Sequence, residues 1–115
     1  MELDGLQINQ PFPHSTVFNL ADKIEYQQGA IVSKTLVKKE TGTVTLFAFT
    51  KGQALSEHSA PFDAIVQLVD GKAEIDINKH SFLLQKGDYI IMPANITHSV
   101  LAIEDFKMLL TMIKG

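Results

Sequence analysis

The sequence predicts an all-β protein, a sandwich or barrel of about ten short strands. Three observations carry this. Apolar and β-branched segments recur with turn signals every six to twelve residues. No segment places apolar residues at helical spacing across three or more turns. The breaks between segments hold turn chemistry, with Asp70–Gly71 the strongest hairpin signal in the chain.

Residues 1–14 are polar and irregular, and Pro11 and Pro13 around Phe12 make them an extended arm. Leu20 to Tyr26 has room for one helical turn. Ala30 to Val37 is a β-branched strand that breaks at Lys38–Glu40, where Lys38 and Lys39 form a solvated strand end. Thr43 to Thr50 follows the Thr41–Gly42 turn and is apolar on both faces. After Lys51–Gly52, Ala54 to Ala60 is a weaker strand that stops at Pro61, and Ala64 to Val69 is of the buried type. Ala73, Ile75 and Ile77 alternate with Glu74, Asp76 and Asn78, so this strand has one wet face. Asn78–Lys79 turns into His80–Leu84, and Lys86–Gly87–Asp88 into Tyr89–Met92. Pro93–Ala94–Asn95 breaks that strand, and His98–Ile103 and Phe106–Ile113 are the last two.

A chain of 115 residues without a linker is expected to form one domain over 1–115. With no cysteine, disulfides, thiolate metal sites, Fe–S clusters and cysteine nucleophiles are excluded. Ten basic residues against thirteen acidic ones give a net charge of −3, and every basic residue is a lysine. Without arginine, bidentate clamping of phosphate or carboxylate has no donor of the usual kind, which argues against phosphorylated sugars and nucleic acid. No run reaches the ~18 apolar residues of a membrane helix. The acidic start has no apolar stretch after it, so the expected setting is the cytoplasm without membrane contact. Neither a phosphate-cradling loop nor a dinucleotide fingerprint is present, and the Asn95–Ile96–Thr97 glycosylation pattern is expected to be chance.

Four histidines are the candidate chemistry. His14, in the arm, and His80, straight after a turn, read as surface residues. His58 and His98 lie on strands. Ser56 stands two before His58, a spacing that mimics a nucleophile and its base, but no orienting acid or oxyanion loop accompanies it.

The spacing around the strand histidines is more specific. Gly52 is followed after five residues by His58, and Gly71 ends the next strand. Gly87 is followed after five residues by Pro93, then by Asn95 and His98. This resembles the two motifs of the cupin superfamily, over about residues 42–113. The resemblance implies a double-stranded β-helix, the jelly-roll barrel, and a homodimer, for which strands apolar on both faces are suited. It also implies a metal site, carried over residue by residue. Two family ligands match His58 and His98. The family's second histidine falls on Ala60 and its glutamate on Ala64. Its motif-two glycine falls on Asn95, which tolerates a left-handed turn, and its asparagine on Ala102.

Two histidines fall short of the ligand sets of iron oxygenases and of catalytic zinc. The nearest carboxylates, Glu57 and Asp63, are expected to point away unless a bulge near Pro61 changes the phase. If His58 and His98 point inward, strand alternation makes Ser56, Ala60, Val100 and Ala102 the pocket lining, and the resemblance adds Ala64, at the place of the family's glutamate. Small residues there imply a roomy interior for a small, largely apolar or neutral molecule. One divalent Fe, Mn, Ni, Cu or Zn held by His58 and His98 is the accompanying expectation. A metal-dependent dioxygenase or isomerase with an atypical third ligand is the rival reading, and a non-catalytic structural or regulatory module the third. No catalytic residue is assigned.

Overall fold

The computed structural model describes residues 12–114, so the expected arm at 1–14 lies outside the described residues up to position 11. One 3-10 turn, Leu20–Asp22, is capped by the Asn19 side chain, which accepts from the Ala21 N–H at 3.0 Å. Nine strands follow: β1 (Ile31–Lys39), β2 (Gly42–Phe49), β3 (Ala54–His58), β4 (Phe62–Asp70), β5 (Lys72–Ile77), β6 (His80–Gln85), β7 (Tyr89–Met92), β8 (His98–Ala102) and β9 (Phe106–Lys114). The expected third strand ends early, at His58 rather than Ala60, and the fourth begins two residues early, at Phe62. No helix among the described residues is long and apolar enough to cross a membrane.

The strands form two antiparallel sheets, ordered β1-β2-β9-β4-β7 and β3-β8-β5-β6. Alternation explains why they close on each other. The inner face of the first sheet carries Phe49, Ala64, Val66, Leu68, Met92, Phe106 and Met108, and the second contributes Ala73, Ile75, Leu84, Val100 and Ala102. At one end of this interior Phe49 stacks on its register partner Phe106, with ring centroids 4.5 Å apart. At that end Gly52 N–H donates to the Ala102 carbonyl and Ala102 N–H to the Gln53 carbonyl, both at 2.9 Å, fixing the β2–β3 turn to β8. That end is filled and sealed.

The first sheet is apolar outside as well, which accounts for the two-faced sequence of Thr43–Thr50. Ile24 is fully buried there against Leu46 and Ala48, with Leu20, Tyr26, Val32 and Leu109 around them. Tyr26 ties this layer down. Its hydroxyl donates to Asp70 Oδ2 at 2.6 Å, and the Lys107 ammonium lies 4.8 Å from its ring centre while donating to the Ala21 carbonyl at 2.6 Å. Burial first, and then the Asp70 carboxylate, push the Tyr26 phenol far above its ordinary range, so it stays a donor.

The Asp70–Gly71 turn joins the two sheets. Gly71 has φ +77°, and a Cβ there would collide with the Asp105 carbonyl oxygen. Gly71→Ala therefore meets both a left-handed backbone and a backbone clash, and is expected to cost about 3 kcal/mol or more. Urea unfolding checks this: a midpoint within error of the parent would contradict the close approach.

Candidate functional site

At the end of the barrel opposite the Phe49–Phe106 stack, inner-face residues of β6 become exposed. Along the inner face of β6 burial falls outward: Leu84 is buried, Phe82 is 43% exposed and His80 is exposed. One row of register partners crosses the second sheet at this rim, running His58, His98, Ile77, His80 over β3, β8, β5 and β6. The facing row on the first sheet runs Thr43, Met112, Ala64, Met92 over β2, β9, β4 and β7. The Thr43 hydroxyl oxygen is buried with no hydrogen-bond partner among the described residues.

His58 reaches this row because β3 bulges. Leu55 pairs with Val100 and His58 with His98, so three steps on β3 oppose two on β8. The extra residue restores an inward phase at His58, while Leu55 packs on the core. The alternation expected from the sequence placed Ser56 beside His58; the bulge moves it off. Ser56 is exposed and lines a recess of about 340 Å³ on the outer side of the second sheet, with Glu57, Glu74 and Asp76. A second recess, of about 560 Å³, lies near the sealed end between Tyr26, Thr50, Lys51 and Asp105. Ala64, Val100 and Ala102 are buried among core side chains, so the roomy interior expected around them is packed instead. Ala60 is half-buried, and its carbonyl accepts the Asn95 N–H at 2.7 Å. Asn95 has φ +65°, in the left-handed region open to asparagine.

The rings of His58 and His98 meet edge to face with centroids 4.4 Å apart. The His58 Nδ1 lies 2.7 Å from the Ser56 carbonyl, and the His98 Nδ1 lies 3.3 Å from the Ile96 carbonyl. A carbonyl only accepts, so in both contacts Nδ1 is the donor and Nε2 is the nitrogen left without a backbone partner. His58 thus leans on the backbone of Ser56 through Nδ1, not on its hydroxyl, and the nucleophile–base reading of that pair finds no support. His98 is 8% exposed. Burial, and next the neighbouring His58, hold its pKa below the ordinary histidine value, against the smaller opposing effect of the Ile96 carbonyl.

The donor set does not fit the family's metal. Ala60 and Ala64 carry no ligand atom, and among the described residues no three His, Asp or Glu side chains converge as metal ligands would. Glu57 turns to Lys79, with N and O 3.3 Å apart, and Asp63 accepts the Ala94 N–H at 2.9 Å, so both expected carboxylates are engaged elsewhere. His14 and His80 are exposed, as expected. The position of His80 in the rim row was not foreseen; the signal was the tight Asn78–Lys79 turn, which sets His80 opposite Ile77.

Comparison with known proteins agrees with this geometry. The family model described as Cupin domain matches residues 45–114. A conserved protein of unknown function from Streptococcus pyogenes is 34% identical, with a TM-score of 0.88 over 97% of this chain and 98% of that one. A cupin 2 conserved barrel domain protein from Leptotrichia buccalis is 45% identical, with a TM-score of 0.82 over 84% of this chain but 47% of its own. A cupin superfamily protein from Desulfitobacterium hafniense shares the fold at 24% identity, with a TM-score of 0.86 over 92% of this chain and 97% of that one. No curated protein matches the chain.

The unfolded chain protonates His98 near pH ~6.5 and the folded chain only at lower pH, so stability is lost as pH falls through that window. His58→Ala removes the second cause and leaves burial. The His98 pKa, followed by NMR of its ring protons against pH, should rise in this variant yet stay below ~6.5. An unchanged value would contradict the coupling.

Proposed function

Since the chain belongs to the cupin domain family, we propose that it binds a small, largely apolar or neutral molecule at the open end of its barrel, with Nε2 of His58 and of His98 as hydrogen-bond acceptors. The observation that carries this reading is the histidine pair itself. Two imidazoles in contact are each tied by Nδ1 to a backbone carbonyl, and they sit at the rim of an interior otherwise lined by Met92, Met112 and Ala64. His98 stays neutral at neutral pH, so it favours a ligand that donates from O–H or N–H over one that needs a cation. The absence of arginine from the sequence points the same way, away from phosphate esters.

The same free Nε2 atoms favour a second reading, in which the pair holds a divalent metal in a dioxygenase- or isomerase-type enzyme. No step of such a reaction follows from the residues present, because two imidazoles leave the ligand set short. The two readings part on one experiment. Tag-free protein is analysed for Fe, Mn, Ni, Cu and Zn, and a neutral fragment library is screened by ligand-observed NMR, each beside the His58→Ala/His98→Ala variant. We expect sub-stoichiometric metal and donor-bearing fragments that lose binding in the variant. Stoichiometric metal lost in the variant would replace the binding reading with the enzyme. Fragments and metal both indifferent to the variant would leave only a structural or regulatory module.

We also infer a homodimer through the outer face of the first sheet. The row Val37, Val44, Thr111, Ile65, Ile91 crosses β1, β2, β9, β4 and β7. The layer around Ile24 covers Leu46 and Ala48 and leaves Ile91 57% and Tyr89 60% exposed. A two-fold axis would set this apolar row against its own copy, the isologous contact commonest in homodimers. The double variant Ile65→Lys/Ile91→Lys should run as a monomer in light scattering where the parent runs as a dimer. A parent that is monomeric at micromolar concentration would overturn the assignment.

A further inference from the structure

His80 shares more with His58 and His98 than its row. Its Nδ1 lies 3.1 Å from the Asn78 carbonyl, the same tie to the residue two before it that holds the other two rings. In all three rings Nδ1 thereby faces a carbonyl as donor, and Nε2 is the nitrogen left for a ligand. No hydrogen bond among the described residues reaches any of these Nε2 atoms. The turn sets the position of His80: Asn78 and Lys79 both adopt positive φ, +50° and +66°, as a two-residue hairpin turn requires. The Asn78 N–H donates to the Thr97 carbonyl at 2.8 Å, which locks this turn to the entry of β8 beside His98. Between the acceptors lies Ile77, half-buried, and one step inside His80 on β6 is the exposed face of Phe82.

We propose that His80 is a third acceptor of the same site, and that the ligand is an elongated neutral molecule with an O–H or N–H donor at each end. One donor meets the His58–His98 pair. The other meets His80, two strand spacings away, about 10 Å. The body of the molecule crosses Ile77 and leans on Phe82. This rests on the reading of His58 and His98 as acceptors, and it adds the length and the two-ended donor character of the ligand.

The test uses 4,4′-dihydroxybiphenyl as the probe and 4,4′-dimethoxybiphenyl, which has the same body and no donor, as the control. Long-range proton–nitrogen NMR reads Nε2 of each histidine. The dihydroxy probe should shift Nε2 of His98 and of His80 together, and the control neither. His80→Phe keeps a ring and removes the acceptor, and should weaken the probe about three- to ten-fold, the range one hydrogen bond supplies. A probe that shifts His98, binds His80→Phe as well as the parent and leaves the His80 resonance in place overturns the role of His80 while the pair keeps its own. A probe that does not bind, or that binds the His58→Ala/His98→Ala variant equally well, overturns both.

Discussion

The site depends on one extra residue in β3. Strict alternation from Leu55 would carry His58 to the outer side of the second sheet, with Glu74 and Asp76. The bulge between Leu55 and His58 lets β3 keep Leu55 in the core and still bring His58 back to the inner face, in register with His98. Two features of the rim follow from that phase: the edge contact of the two rings and the coupling that helps keep His98 neutral. The Ser56 carbonyl, within the bulged stretch, lies 2.7 Å from the His58 Nδ1.

The barrel around this rim is asymmetric in a way that suits a binding site. At the sealed end, stacked Phe49 and Phe106 fill the space between the sheets, and the Gly52 and Gln53 backbone closes over them. At the open end, the inner rows shift to Met112, Ala64 and Met92 on one side and histidines on the other. Long thioether side chains adapt to a partner of uncertain shape better than branched ones do. The packed interior leaves little depth at its centre, because Ala64, Val100 and Ala102 are already enclosed by their neighbours.

Much of the architecture was legible in the sequence because strands and turns are local signals. Asp70–Gly71, Lys86–Gly87 and the alternation of Ala73, Ile75 and Ile77 specify their elements without reference to the rest of the chain. The positions of His58, Asn95 and His98 relative to Gly52, Gly87 and Pro93 were enough to indicate the jelly roll. What stayed hidden depends on pairing between strands. A bulge is a property of two strands together, so the sequence of β3 alone put Ser56, not Leu55, beside His58. His80 reads as a surface residue and is exposed; only the register through Ile77 reveals which face it shares. Small residues at Ala64 and Ala102 suggested space, but cavity size is decided by the neighbours that move in, here Met92, Met112 and Phe106.

The central claim is that His58 and His98 hold their Nδ1 protons against the backbone and turn Nε2 to a ligand as acceptor. Long-range proton–nitrogen NMR of the unliganded protein at neutral pH reads this directly. The account predicts a protonated, pyrrole-type Nδ1 and a bare, pyridine-type Nε2 in both rings, unchanged by dialysis against a chelator. A proton on Nε2 in either ring, or nitrogen shifts that move when a chelator is added, would contradict it.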